Sequence, residues 1–219
     1  FNLSSSSFIF CLASRAFCFS RAINLSFSIL AFCCSCLILC FSKKSNLSFN
    51  SHTLKFFAYI IDFCSYEARF KFKEIYLKSI KYRGGTACEV GSLGGQGTLS
   101  LCLAGLEVTS YDNDGHKGFK DKRETLCKDF NVNWIVQEGL YALNNETKYD
   151  VVFHDSYHFE EVIPELVAFW FYKVNDKGML IVHDVETFSH ERFMFLIGNP
   201  RFKRTKDVHG RELGTYYKN

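Results

Sequence analysis

The sequence predicts an α/β protein built on a doubly wound, mainly parallel sheet that ends in an antiparallel hairpin. From Thr86 onward, short apolar segments alternate with segments whose apolar residues recur at helical spacing, which is the pattern of successive βα units. The last stretch breaks this alternation. There, Phe202–Lys206 and Leu213–Lys218 flank a turn at Gly210, which is typical of a hairpin.

The predicted elements follow one another with short connections. A lead-in helix is expected over Phe56 to Ile80. Five parallel strands are expected at Thr86–Val90, Glu107–Tyr111, Asn133–Gln137, Asp150–His154 and Met179–His183. The helices between and after them are expected at Thr98–Ala104, around Phe119 to Phe130, through Pro164 to about Val174, and from Phe188 to Ile197.

Residues 1–55 differ in composition from the domain predicted for residues 56–219. No Asp or Glu precedes Asp62, and Phe, Ser, Leu and Cys dominate. The stretch 22–41 is uncharged and mostly apolar, with Arg21 before it and Lys43 after it, which is long enough to span a bilayer. Three alternatives stay open for this segment: a membrane anchor, an organelle-targeting segment, or an extension foreign to the natural protein.

The net charge and the positions of the cysteines bear on the partners and the cellular location of the protein. A formal net charge of +3 gives no argument for a nucleic-acid partner. Six of the ten cysteines crowd the first 40 residues, and the others are widely spaced in apolar or helical contexts. Those four are Cys64, Cys88, Cys102 and Cys127. They indicate reduced core thiols, and we therefore expect the folded domain to be cytoplasmic.

A glycine-rich turn follows the first predicted strand and precedes a helix. Such a turn lets a ligand approach the main chain, and the helix presents free N–H groups to it. A phosphate-binding P-loop is excluded, because no lysine lies between Arg83 and Lys117. The dinucleotide fingerprint fits poorly, because Ser100 stands where its third glycine belongs.

What remains is an acid-x-Gly-x-x-x-Gly-x-Gly pattern, formed by Glu89, Gly91, Gly95 and Gly97. A carboxylate follows it about 20 residues later, at the end of the second strand, where it can accept both hydroxyls of a ribose. That carboxylate belongs to Asp112. The alternative reading is a turn that binds nothing, since Asp-Asn-Asp-Gly is also good turn chemistry.

The pattern resembles motif I of the class I S-adenosylmethionine-dependent methyltransferases, and the resemblance extends from about Tyr82 to Lys218. It implies that S-adenosylmethionine lies across the glycine turn with its ribose on Asp112. The residues expected to contact the cofactor are Glu89, Gly91, Ser92, Gly95, Gly97, Asp112, Glu138, Gly139 and Asp155. One position departs from the family, because Leu140 stands where many members carry an acid for the adenine amino group.

The acceptor side is expected where the fourth and fifth strands end. The run from His154 to Glu161 partly matches a motif of small-molecule methyltransferases related to the macrocin O-methyltransferase and cephalosporin hydroxylase group, and His183-Asp184 also resembles that group. The resemblance implies four catalytic residues: Asp155, His158, His183 and Asp184. The alternative is that both residues are structural only: Asp155 caps the next segment, and His183 packs against its neighbours.

Two chemistries stay open at these strand ends. Some relatives, including the catechol O-methyltransferases, hold a divalent cation there, and Asp155 and Asp184 match the acids of that site. His183 stands where those relatives often carry a first acid, which disfavours Mg²⁺. Without a metal, His158 or His183 would be the general base.

The leading functional prediction is methyl transfer to a hydroxyl of a small molecule or sugar-like acceptor. A second prediction is a nicotinamide-dependent reductase, against which the glycine pattern and the terminal hairpin count. A third is a non-catalytic binding protein, tethered to a membrane through residues 22–41, whose cofactor site has decayed.

Overall fold

The computed structural model describes residues 66–137, 146–156, 163–187, 189–206 and 210–219. Residues 1–55, including the apolar stretch 22–41, lie outside this described part, as does Cys64. Across the described ranges, the helices are all too short or too polar to cross a membrane.

Helices and strands alternate as predicted. The described helices are α1 (Tyr66–Ser79), α2 (Gln96–Leu103), α3 (Phe119–Leu126), α4 (Ile163–Tyr172) and α5 (His190–Leu196). The strands are β1 (Thr86–Val90), β2 (Glu107–Asp112), β3 (Val132–Val136), β4 (Tyr149–His154), β5 (Val174–His183), β6 (Arg201–Lys206) and β7 (Glu212–Tyr217).

The strands form one seven-stranded sheet in the order β3-β2-β1-β4-β5-β7-β6. The first five strands in chain order pair in parallel, and β7 pairs antiparallel with both β5 and β6. The predicted fold class is therefore confirmed, including the terminal hairpin. The chain order reverses between β1 and β4, and in sheets of this kind ligands bind beyond the carboxyl ends of the strands at that point.

Apolar residues cover both faces of the central strands. In β4, Val151, Val152 and Phe153 are all fully buried, as expected for a parallel strand with helices on both sides. One core contains residues of α1, α2 and α3, and the other contains residues of α4 and α5. Three of the cysteines predicted to be reduced core thiols, Cys88, Cys102 and Cys127, are buried and free, which confirms that prediction for them.

The largest boundary error concerns β5, which begins at Val174 rather than at Met179. The sequence Asp176-Lys177-Gly178 looks like a lead-in turn, but it lies within the strand as an irregularity. Lys177 has a positive φ of 64°, and the pairing with β4 shifts register between Tyr149 and Val151. The register pairs Val174 with Tyr149 and Met179 with Val151, so residues 175–178 form a bulge between two paired positions and keep a turn-like backbone inside the strand.

Candidate functional site

The glycine turn lies between β1 and α2, at the carboxyl edge of the sheet. The N–H of Gly91 donates to the carbonyl oxygen of Tyr111 at 2.9 Å, and the N–H of Gly95 donates to the carbonyl oxygen of Ser92 at 2.7 Å. Gly91 and Gly95 have φ values of 88° and 81°, a region that favours glycine. Gly95 is also the residue that immediately precedes α2.

The same glycines permit close packing inside the protein. A side chain at Gly91 would collide with the backbone carbonyl of Asp155 at the end of β4. At Gly95 it would lie 2.6 Å from Cβ of Arg123 in α3, and at Gly97 it would meet the carboxylate of Glu89. The glycine spacing therefore reflects the approach of three elements to the turn, and the predicted approach of a cofactor stays a prediction.

Asp112 ends β2 and holds the turn. Its Oδ2 atom accepts hydrogen bonds from the backbone N–H groups of Ser92 (3.0 Å) and Leu93 (2.9 Å), and from the Ser92 hydroxyl (3.2 Å). Its Oδ1 atom accepts from the N–H of Asp114 at 2.8 Å. The side chain is 13% exposed, so the carboxylate lies at the edge of the site rather than within the core.

Glu89 lies beneath the turn and is 1% exposed. Its carboxylate accepts hydrogen bonds from the hydroxyl of Thr98 and, at 3.1 Å, from the hydroxyl of Ser110. Both described partners of this carboxylate are side chains, so Glu89 contacts the helix after the turn through Thr98 and the neighbouring strand through Ser110. Burial raises the pKa of Glu89 to about 7, although the two hydroxyls favour the ionised form.

Arg123 is a buried cation beside Asp112 that the sequence did not single out. It is 1% exposed, its NH2 atom lies 2.6 Å from Oδ1 of Asp114, and its NH1 atom lies 3.6 Å from Oδ1 of Asp112. Its guanidinium also lies 5.1 Å from the centre of the Trp134 ring. In the sequence, Lys120, Lys122 and Arg123 form a charged run that is typical of an exposed helix face, which conceals the one buried member.

The acceptor-side residues meet where β4 and β5 end, as predicted. The Nδ1 atom of His183 lies 2.8 Å from Oδ1 of Asp155 and 3.2 Å from Oδ2 of Asp184. Asp184 has a φ of 53°, in the left-handed region that Asp adopts more readily than most residues other than glycine. His158 lies outside the described residues, as do Glu138 and Gly139.

Lys71 of α1 joins this group and was not predicted. Its Nζ atom lies 2.7 Å from Oδ2 of Asp155, and the two side chains are only 19% and 18% exposed. The two residues are 84 positions apart in the chain. The sequence carries no signal for this contact, because Lys71 and Lys73 both look like ordinary charged residues of an amphipathic helix.

The neighbouring charges set the protonation of the group. Burial opposes ionisation of Asp155, but the Lys71 ammonium and then His183 outweigh it and lower the pKa of Asp155 to about 2. Burial likewise opposes the charge on His183, but the contacts with Asp155 and Asp184 raise its pKa to about 9. His183 is therefore mainly protonated at neutral pH, which argues against its acting as a general base there.

The predicted divalent cation at Asp155 and Asp184 gains no support. Within the ranges that the structure describes, no group of three or more His, Cys, Asp or Glu residues has a geometry that could hold a metal ion. Both oxygens of the Asp155 carboxylate instead have protein cations as neighbours, Lys71 and His183.

The two halves of the site adjoin. The N–H of Asp155 donates to the carbonyl oxygen of Val90 at 2.9 Å, one residue before the glycine turn. The Asp155 backbone is also the group that a side chain at Gly91 would strike. A ligand bound along the turn would therefore lie next to Asp155, Lys71 and His183.

Comparison with known proteins gives structural matches only: no family model and no curated protein sequence matches this chain. Three solved structures illustrate the likeness. The N-methyltransferase NodS from Bradyrhizobium japonicum, in complex with S-adenosyl-L-homocysteine, is 10% identical with a TM-score of 0.55, and the match covers 77% of this chain and 99% of that chain.

The O-methyltransferase TomG from Streptomyces achromogenes, in complex with SAM, is 14% identical with a TM-score of 0.56, over 78% of this chain and 91% of that chain. An O-methyltransferase family protein from Burkholderia thailandensis is 9% identical with a TM-score of 0.58, over 77% of this chain. The match spans only 60% of that protein's length. At these identities the likeness concerns the fold, and the chain has the Rossmann-like fold of the methyltransferases to which it is similar.

Proposed function

We propose that this chain is an S-adenosylmethionine-dependent methyltransferase that acts on a hydroxyl group of a small-molecule or sugar-like acceptor. One observation carries the proposal: the glycine turn held by Asp112 adjoins Asp155 at the point where the chain order of the sheet reverses. The proposed cofactor half and the proposed acceptor half of the site would thereby be next to each other. The methyltransferase fold of the solved structures described above supports the same reaction class.

The residues at the turn suit the cofactor. Asp112 Oδ1 has one described backbone donor and lies 3.6 Å from Arg123 NH1, and the side chain is 13% exposed, so this oxygen retains capacity to accept a hydrogen bond from a ribose hydroxyl. The glycine turn and Ser92 would hold the amino-acid part, and Glu89 would keep the turn in place from below. S-adenosylmethionine supplies a methyl group on a sulfonium sulfur.

Bound S-adenosylmethionine would supply its methyl group to the acceptor oxygen, with S-adenosylhomocysteine as the leaving group. The acceptor's hydroxyl proton leaves in the process, and His158 remains our predicted base for it. Lys71 and His183 would stabilise negative charge on the acceptor oxygen, and Asp155 would hold both cations in place. Alignment of the two reactants supplies most of the remaining rate, with effective molarities of up to about 10⁵–10⁸ M.

Calorimetric titration of the full chain with S-adenosylhomocysteine tests the proposal. We expect micromolar binding, weakened about 10- to 100-fold in Asp112→Asn, because hydrogen bonds to a charged group contribute about 1.5–3 kcal/mol. Asp176→Asn, an exposed acid on β5, is the matched control. Far-UV circular dichroism must show that both variants are folded.

The alternatives predict other outcomes of the same titration. Binding of NADH without binding of S-adenosylhomocysteine would contradict methyl transfer and favour the reductase. A folded chain that binds neither compound would favour the non-catalytic binding protein.

A further inference from the structure

The carboxylate of Asp155 lies between two protein cations. Lys71 Nζ lies 2.7 Å from its Oδ2 atom and His183 Nδ1 lies 2.8 Å from its Oδ1 atom. His183 Nδ1 also approaches Asp184 Oδ2 at 3.2 Å, so this ring stands between the acids of β4 and β5. The side chains of the cluster are 12% to 20% exposed, so each keeps some surface that a ligand could contact.

A divalent cation does not fit this arrangement. Mg²⁺ and Ca²⁺ require several oxygen ligands at about 2.0–2.6 Å. Here an ammonium group lies at hydrogen-bond distance from one Asp155 oxygen, and a metal ion bound to that oxygen would be pressed against it. His183 Nδ1 lies near both Asp155 and Asp184, so the ligand set at these strand ends includes a nitrogen, which suits Mn²⁺ better than Mg²⁺ or Ca²⁺ once the ammonium is removed.

We propose that the Lys71 ammonium replaces the divalent cation that methyltransferases such as the catechol O-methyltransferases hold between these two strand ends. An ammonium has three donors, and Asp155 is its one described carboxylate partner, so donors remain for the oxygen of an acceptor. The inference rests on the proposed methyl-transfer function. It makes Lys71 the residue that supplies fixed positive charge to the acceptor side of the site.

The packing of α1 in the core holds Lys71 in place. Phe72, next to Lys71, is 7% exposed and belongs to the core, which anchors the helix and limits where Lys71 can reach. A fully exposed ion pair would contribute little, whereas this pair, at 19% and 18% exposure, is partly shielded from water and is costlier to break. Position and burial together indicate a charge that is built into the site.

Binding of Mn²⁺ alone tests the proposal without an acceptor. The chelator-treated full chain is titrated with Mn²⁺, and free ion is measured by electron paramagnetic resonance. We expect the wild type not to bind Mn²⁺ at millimolar concentrations, so that all of the added ion gives the signal of free Mn²⁺. In Lys71→Met, loss of the ammonium frees Asp155 Oδ2, and the variant should bind one Mn²⁺ ion at least about tenfold more tightly than the wild type does. Lys71→Arg keeps the charge and should behave as the wild type.

Matched variants assign the effect to this site. Lys73→Met makes the same chemical change two residues along α1 and should leave Mn²⁺ free. Adding Asp155→Asn to Lys71→Met should abolish the new binding. Stoichiometric Mn²⁺ binding by the wild type that Asp155→Asn removes would overturn the proposal. So would a folded Lys71→Met variant that binds Mn²⁺ no better than the wild type. If Lys71→Met does not fold, the wild-type titration is the test: Mn²⁺ binding that Asp155→Asn removes overturns the proposal, and the absence of binding supports it.

The titration with S-adenosylhomocysteine distinguishes a failure of the Lys71 proposal from a failure of the methyl-transfer proposal. A wild type that binds S-adenosylhomocysteine and also binds Mn²⁺ at Asp155 refutes the role of Lys71 while methyl transfer stands. A wild type that binds neither compound refutes methyl transfer, on which this role depends.

Discussion

The carboxylate of Asp112 accepts a hydrogen bond from the backbone N–H of Ser92 at 3.0 Å and so joins the end of β2 to the glycine turn after β1. The residue proposed to bind the ribose therefore also shapes the turn proposed to bind the rest of the cofactor. Cofactor binding and the conformation of the turn should be coupled, because both use one carboxylate.

Arg123 should be required for the stability of this corner of the fold. Replacing it with Met removes the cation beside Asp112 and Asp114 and leaves two carboxylates close together. We expect a loss of about 3–5 kcal/mol in the free energy of unfolding, the range for breaking a buried ion pair. Urea denaturation measures it, with the exposed Lys122→Met as control. A loss equal to that of the control would mean that the buried ion pair contributes little.

Gly97→Ala should destabilise the protein although Ala favours helices. Gly97 lies in α2, but an added Cβ would meet the Glu89 carboxylate and lie 2.7 Å from the Phe153 ring. Overpacking of this kind costs about 1–3 kcal/mol, against a helix-propensity gain of about 1 kcal/mol. Thermal unfolding tests it, with Gly115→Ala in an exposed loop as the control. An unchanged or raised Tm for Gly97→Ala would contradict the close packing.

Glu89→Gln should remove a pH dependence of stability. Burial raises the pKa of Glu89 from 4.5 to about 7, so the folded chain holds a proton that the unfolded chain releases. The stability of the wild type should therefore fall as pH rises through this window, by up to about 3 kcal/mol from this group. The variant should lack that fall in urea denaturation at pH 4.5 to 7.5. Parallel curves for the two proteins would exclude the effect.

His183 should contribute stability that disappears at alkaline pH. Its pKa is raised from 6.5 to about 9 because Asp155 and Asp184 outweigh burial, so the contribution is complete below pH 6.5 and is lost as pH rises towards 9. The free-energy difference between wild type and His183→Gln should shrink across this range by up to about 3 kcal/mol. The exposed His116→Gln is the control. A constant difference would show that folding does not raise the pKa of His183 across this range.

The order and type of the elements follow from local pattern, which is why they could be predicted. The buried run of β4 and the alternation of strands with amphipathic segments are properties of adjacent residues. Element ends were less predictable. At β5, the pairing of Val174 with Tyr149 places the start of the strand before the turn-like residues, and no local pattern reveals a pairing with another strand.

The candidate site divides in the same way. Asp112, Asp155, His183 and Asp184 each directly follow or end a strand, so parallel topology alone predicts that they share one edge of the sheet. The cations that pair with these acids could not be predicted in this way. Arg123 and Lys71 are helix residues whose sequence neighbours are also charged, and nothing local distinguishes a buried cation from an exposed one.

From its amino-acid order alone, this chain is recognisable as a doubly wound α/β fold with a glycine turn, a partner acid at Asp112 and acids at two further strand ends. Which charges neutralise those acids depends on how α1 and α3 pack against the sheet. The physical reason is the separation in sequence over which each kind of interaction acts. Strand periodicity and turn chemistry act over a few residues, whereas the ion pair between Lys71 and Asp155 joins side chains 84 positions apart and exists only once the core brings α1 to the sheet edge.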